Sequence, residues 1–202
     1  IGKWHLYKGR EEEYAAHNQG FELNIGGCSY GGPPTFFDPY RIPFLKDRRE
    51  GEYLPDRLAD ETVTFMRQQV KAKKPFYVAL WNYTVHWPME APEEFVARWA
   101  DKPKAGYNHK IYPAMLETMD LAIARVLAEL KKLQIEEETF VVFTSDNGPF
   151  GGAGDARPLR GDKGHLYEGG IRVPLIVRWP GRVAAGKVSG LPVILTDFYP
   201  TL

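Results

Sequence analysis

Three apolar runs, Phe76 to Trp81, Thr139 to Thr144 and Ile171 to Trp179, are rich in β-branched or aromatic residues and read as buried strands far apart in the chain. Between the first two, Met115, Met119, Ile123, Val126, Leu130 and Leu133 recur at three- and four-residue steps, while Glu117, Glu129, Lys131 and Lys132 take other positions. That spacing predicts an amphipathic helix. A second helix is expected to open near Asp56, a good N-cap, and to run to about Lys71, with Ala59, Val63, Met66 and Val70 on its apolar stripe before Pro75. Strand alternating with helix predicts an α/β fold with a largely parallel mixed sheet flanked by helices on both faces. Ligands of such a fold belong at the C-terminal ends of strands.

From Tyr7 to Tyr53 there is no periodicity, and Gly26-Gly27, Gly31-Gly32-Pro33-Pro34 and Pro43 punctuate the stretch. It reads as a long ordered loop facing substrate. Tyr30, Phe36, Phe37 and Tyr40 within it can line a sugar or aryl pocket, or can pin the loop down. At 202 residues and 44% hydrophobic content the chain suits one sizeable domain with a buried core. Lysine plus arginine (26) balance aspartate plus glutamate (26), so bulk charge supplies no reason to expect nucleic acid or an anionic membrane. No apolar run approaches the roughly 20 residues that span a bilayer, so the segment is expected to be soluble. The first residues, Ile1-Gly2-Lys3, and the last, Tyr199-Pro200-Thr201-Leu202, read as cuts within a longer chain.

Thr144-Ser145-Asp146-Asn147-Gly148 directly follows an apolar strand and turns through Gly148-Pro149. A carboxylate beside an amide at a strand end suits a hard cation, calcium or magnesium. Asp-Asn-Gly is also a common turn former, so the residues alone leave ligand and turn both open. His86, in Val85-His86-Trp87-Pro88-Met89-Glu90-Ala91-Pro92, lies a few residues beyond a strand, where a fixed imidazole can protonate a leaving group or bind an anion. It can equally be a structural histidine in a proline-rich turn.

Gly148 to Gly170 holds eight glycines, and Arg157, Arg160, Lys163, His165 and Arg172 lie within or just beyond it. Backbone can approach a ligand closely there, and the cations can meet a sulfate or phosphate, although a surface loop has the same composition. Lys3 and His5 stand two apart, so in an extended segment they share a side, with Trp4 and Leu6 packing opposite. A solvated lysine beside an ordinary histidine reads the same way. Cys28, the single cysteine, has no histidine or acidic neighbour in sequence to activate it and reads as structural. His17, His109 and His165 lack metal-ligand spacing and read as surface residues.

The order and wording of these blocks resemble the sulfatase family of the alkaline phosphatase superfamily across nearly the whole chain. Gly2-Lys3-Trp4-His5-Leu6, His86 followed by Pro88 and Pro92, Ser145-Asp146-Asn147-Gly148, and Leu159-Arg160-Gly161-Asp162-Lys163 before Tyr167-Glu168-Gly169-Gly170-Ile171-Arg172-Val173-Pro174 carry the resemblance. It implies an alkaline phosphatase-like fold incomplete at both ends, with residues 1–202 forming one partial catalytic domain. It also implies that Lys3, His86 and Lys163 bind sulfate, that His5 orients the nucleophile or takes its proton, and that His86 assists the leaving group. Asp146 and Asn147 then hold a divalent metal, Ca2+ ahead of Mg2+. Tyr7 stands where many members have glycine.

The family's nucleophile is a formylglycine made from Cys or Ser in a Cys/Ser-x-Pro/Ala-x-Arg motif; Cys28-Ser29-Tyr30-Gly31-Gly32 lacks its proline and arginine. The resemblance places that motif, and two further metal-binding aspartates, upstream. The 202-residue chain alone is therefore expected to be inactive, and the whole protein to cleave a sulfated small molecule or sulfated glycan in the periplasm, a lysosome or outside the cell. Two alternatives stand beside it: a phosphodiesterase or phosphonate monoester hydrolase of the same superfamily, and a non-catalytic sulfated-glycan binding protein.

Overall fold

A computed structural model describes residues 1–9, 12–103, 106–107 and 109–201. Two long helices organise it. α1, Leu54–Ala72, begins two residues before the expected N-cap: Tyr53 is the cap, and Pro55 sits in the first turn, where its missing N–H costs nothing. Lys73 ends the helix in the left-handed region, with φ 55°, ahead of Pro75. After a short helix α2, Glu93–Trp99, comes α3, Tyr112–Lys132, which again carries a proline in its first turn.

α1 and α3 pack together, joined at the surface by Arg67, which donates to Glu129 at 2.7 and 2.9 Å, and by Arg125, which reaches Asp56 at 2.7 Å and also pairs with Asp60. The buried side of α3 runs through Met115, Thr118, Ala122, Glu129 and Leu130, so small residues take places the apolar pattern assigns to Met119, Ile123 and Val126, which are half-buried. Small side chains let two helix backbones approach closely, which shifts the contact stripe sideways.

The long loop supplies much of the core. Cys28, Phe36, Tyr40, Ile42, Leu45 and Tyr53 are buried together with Leu54 and Leu58 of α1, Tyr83, Met89 and Met115. Phe36 and Tyr40 are fully buried, which settles their role as anchors; Tyr30 remains 39% exposed. Glu52 and Tyr40 add a polar clasp, the phenol donating to the carboxylate at 3.1 Å while Arg48 and Arg57 flank it.

Among the described residues the sheet is small. β1, Val141–Thr144, pairs with β2, Leu175–Arg178, antiparallel, with Val141 opposite Arg178 and Thr144 opposite Leu175. The expected large parallel sheet is not found within these residues. Phe76 to Trp81 is extended and does have a parallel neighbour, but a short one. The Ile1 terminus donates to the Ala79 carbonyl (2.9 Å), Trp81 N–H to Ile1 (2.9 Å) and Lys3 N–H to Trp81 (2.7 Å). β2 begins later than the apolar run, because Glu168–Ile171 turns as a short helix, α4. Nor are the strands fully covered: Phe143, Leu175 and Ile176 are exposed.

Candidate functional site

The segment Gly2 to His5 is held by backbone on both sides. Gly2 N–H donates to Ile25 (2.8 Å), Lys3 N–H to Trp81, and His5 N–H to Cys28 (2.8 Å). Gly2 needs to be glycine: its φ is 94°, and a Cβ there would stand 2.1 Å from the Trp81 carbonyl oxygen. Trp4 stacks on Trp81 at 5.4 Å and donates its indole N–H to Tyr14, as expected for the packed side of the segment. Leu6 does not share that side. It is 69% exposed, because His5 adopts φ 50° and breaks the alternation an extended strand would impose.

His86 receives support from the turn before it, its N–H donating to the Tyr83 carbonyl at 2.9 Å. Tyr83 is itself fixed, its hydroxyl donating to Gly26 at 2.8 Å and lying 3.6 Å from the Cys28 sulfur. Burial raises the Cys28 thiol pKa, consistent with a structural cysteine. Gly31 and Gly32 press on both histidines. A Cβ on Gly31 would be 2.8 Å from the His5 ring, and one on Gly32 would be 2.5 Å from His86 Nδ1. These two glycines are candidate positioning residues that the sequence, through Gly-Gly-Pro-Pro, marks only as loop punctuation.

Asp146 and Asn147 follow the C-terminal end of β1, and Ser145 Oγ closes a turn by donating to the Asn147 carbonyl at 2.8 Å. The next residue docks this turn on the glycine-rich block. Gly148 N–H donates to Gly170 (2.9 Å), and a Cβ on Gly148 would sit 1.9 Å from the Gly169 oxygen. Lys163 N–H donates to Pro149 (2.8 Å) and Gly169 N–H to Arg160 (2.8 Å), so Asp146, Asn147 and Lys163 belong to one interlocked unit.

The other cations of the block are occupied. Arg157 pairs with Asp155, Arg172 with Glu168, His165 with Asp162, and Arg160 lies 3.8 Å over the Tyr167 ring. Among the described residues neither Lys3 nor Lys163 has a carboxylate within salt-bridge distance.

Electrostatics tie the separated blocks together. Burial holds the Lys3 ammonium below its usual pKa, Asp146 opposes that shift and Lys163 adds to it. Burial likewise lowers His86; the Trp87 carbonyl opposes, and Lys3, Lys163 and His5 add to the lowering. Lys3 therefore lies within the fields of Asp146 and Lys163, and His86 within those of Lys3, Lys163 and His5, which groups two lysines and two histidines near one carboxylate. Such a cluster can hold a tetrahedral oxyanion.

The metal expectation is tested by donor chemistry. Asp146 and Asn147 offer a carboxylate and an amide oxygen, which fit a hard cation, but calcium takes about six to eight oxygens. No group of three His, Cys, Asp or Glu suited to a metal occurs among the described residues. These two residues fit as part of a ligand set. His17 contacts Phe44, and His109 contacts Trp87.

The family profile described as Sulfatase matches residues 1–202. The chain is 36% identical over 162 residues to a protein called sulfatase from Formosa agariphila, covering 75% of this chain and 29% of that protein. It is 38% identical over 159 residues to mouse steryl-sulfatase, covering 74% and 24%. A crystal structure of Ps i-CgsB in complex with k-i-k-neocarrahexaose superposes with a TM-score of 0.84 at 32% identity, covering 99% of this chain and 48% of that one. The chain thus spans less than half the length of each of these relatives.

Proposed function

The chain belongs to the sulfatase family, and from that premise we propose that the whole protein hydrolyses a sulfate ester to an alcohol and inorganic sulfate. The observation that carries this reading is that Lys3, Lys163 and His5 act on the charge of His86, and Asp146 and Lys163 on that of Lys3, while Gly31 and Gly32 pack against the two histidine rings. A sulfate ester carries negative charge on oxygens around sulfur, and that charge grows on the bridging oxygen as the ester bond breaks. Lys3 and Lys163, without a salt bridge among the described residues, meet the non-bridging oxygens. His86 faces the bridging oxygen and gives the departing alkoxide a proton. His5, pressed by Gly31, orients the nucleophile or takes its proton.

Asp146 and Asn147 hold part of the shell of a divalent cation, calcium ahead of magnesium. When bound, that ion supplies further positive charge to the sulfate oxygens. The nucleophile of this proposal is a formylglycine in a segment upstream of residue 1. The exposed apolar faces of β1 and β2 support placing them in the larger, mainly parallel sheet of an alkaline phosphatase-like domain. A sulfated glycan is the proposed substrate class, supported by the solved relative held with k-i-k-neocarrahexaose.

The test is sulfate release by the full-length protein and by its Lys163→Ala and His86→Ala variants. We expect each variant to lose roughly a hundredfold or more in turnover, the scale of losing one preorganised charge-stabilising group. Variants as fast as wild type sink the assignment of roles. Faster cleavage of phosphate diesters than of sulfate esters moves the reading to a phosphodiesterase, and binding without turnover moves it to a glycan-binding protein.

A further inference from the structure

Away from the cationic cluster, a cleft of about 390 Å³ opens between α2 and the start of α3. Its walls are Trp99, Tyr107, Tyr112, Leu116, Glu117 and Asp120. This volume is within the range of small-ligand sites, roughly 300–1,000 Å³. The walls combine aromatic surface with two carboxylates one helical turn apart, and that combination has a chemistry. The apolar face of a sugar ring packs on aromatic and leucine side chains, and its hydroxyls donate to carboxylates.

The cleft is mechanically joined to the catalytic cluster. Tyr107 bridges to Gly154, and the Tyr112 hydroxyl lies so close that a Cβ on Gly154 would be 3.0 Å from it. Gly154 N–H donates to Phe150 (2.8 Å), in the same turn whose Pro149 carbonyl accepts the Lys163 N–H. On another side Trp87, next to His86 and 45% exposed, meets the His109 ring at 5.4 Å, two residues from Tyr107. One exposed aromatic ring, Trp87, thus stands beside His86 on the side of His109.

The two carboxylates of the cleft differ in their surroundings. Glu117 accepts from the Trp99 indole N–H (2.7 Å) and from Arg98 (2.8 Å), contacts that hold its carboxyl below the usual range and keep it ionised. Asp120 is exposed one turn further on. Arg98 is engaged by Glu117 and lies over Phe95, while Lys102 lies over the Trp99 ring, so neither cation is free of partners.

We propose that this cleft is a second carbohydrate subsite, which takes an unsulfated unit of the same glycan whose sulfate ester lies at Lys3, His86 and Lys163. The proposal rests on the sulfatase reading. Asp120, exposed and without a salt bridge among the described residues, accepts a hydroxyl and repels a sulfate group, so the subsite reads the absence of sulfate at a distance from the ester cleaved.

The full-length protein is assayed on a sulfated hexaose and on a small aryl sulfate. Leu116 is 38% exposed on α3, so Leu116→Trp fills the cleft from the solvent side. We expect it to raise KM for the hexaose about tenfold, the scale of losing a ring-packing contact, with the aryl sulfate unchanged. Asp120→Lys, at an exposed position, is expected to narrow the preference for a hexaose unsulfated at the distal unit over one sulfated there. Unchanged hexaose KM in Leu116→Trp with wild-type Tm, or equal effects on both substrates, overturns the subsite. So does an unaltered preference in Asp120→Lys, which decides the matter alone where Leu116→Trp fails to fold. A wild type that cleaves neither ester overturns the sulfatase reading instead.

Discussion

Gly32 lies flat against His86: a Cβ built on it would stand 2.5 Å from His86 Nδ1 and 2.4 Å from the Trp87 carbonyl oxygen. Both contacts are with fixed groups, the second with backbone, so Gly32→Ala has to push the His86–Trp87 turn outward. An added methyl in a packed place costs about 1–3 kcal/mol, and here the displacement falls on a proposed catalytic side chain. We expect the full-length variant to lose at least about tenfold in turnover, since a misplacement near 1 Å is costly to catalysis. Gly190→Ala, where a Cβ meets nothing within 4 Å, is the control and should match wild type in rate and Tm. A Gly32→Ala enzyme as fast as the control would remove the positioning role.

His86 also gives a pH dependence with a definite sign. Its folded pKa is lowered, first by burial and then by Lys3, Lys163 and His5, so the unfolded chain binds this proton more readily. Stability without ligand should therefore fall as pH drops below about 6.5, the ordinary histidine value, and be indifferent to His86 above it. Inorganic sulfate stays a dianion over this range and prefers the protonated ring. Its inhibition constant should accordingly tighten between about pH 7 and about pH 5. Sulfate titrations across that interval check it, and His86→Asn should flatten the curve; an equally steep curve in the variant assigns the effect elsewhere.

How far the sequence made these features legible differs by element. α1 and α3 were readable because their apolar residues repeat at helical spacing, and the error at the start of α1 came from weighing Asp56 as a cap above Pro55 as a first-turn residue. The strands were located, but their partners were not. An apolar run announces a strand without saying what lies beside it, and here Phe76 to Trp81 pairs with the three residues at the front of the chain. In the candidate site, motif wording singles out Lys3, His86, Asp146 and Lys163, whereas how their segments are held depends on the contacts of Gly31, Gly32 and Gly148. Glycine contacts leave no periodic trace, since what matters is the atom a side chain would have struck. Leu6 was misplaced because the positive φ of His5 has no sequence signature.

Metal dependence tests the proposed role of Asp146 apart from the cations. The exposed Asp146 carboxylate and the half-buried Asn147 amide stand at the end of β1 with no third ligand from the described residues. In the full-length protein, chelation should abolish sulfate release and calcium should restore it. Asp146→Ala should weaken calcium binding by at least about tenfold, as measured by calorimetry, because a removed carboxylate takes away both charge and an oxygen donor. Unchanged calcium affinity in that variant places the ion elsewhere.

Leu58 connects the core to the placement of Lys3. It is 1% exposed on α1, and its Cδ1 lies 3.5 Å from where a Cβ on Gly2 would be, so it forms the floor beneath the residue before Lys3. Leu58→Ala deletes that floor, and a buried leucine cut to alanine costs about 2–5 kcal/mol, depending on how far the surroundings collapse. Each kcal/mol lowers Tm by about 2–4 °C in a domain of about 150–250 residues and by less in a longer protein, a shift calorimetry reads directly. The same cavity lets the Gly2–Lys3 backbone sag away from Trp81, lengthening the 2.7 Å bond from Lys3 N–H to the Trp81 carbonyl. Lys3 then meets the sulfate from the wrong height. Below the new Tm, turnover should therefore fall together with stability, while Met66→Ala, equally buried on α1 but outside the core cluster that reaches the site, should lower Tm and spare the rate. Equal rates in the two variants would show that Lys3 is positioned without help from α1.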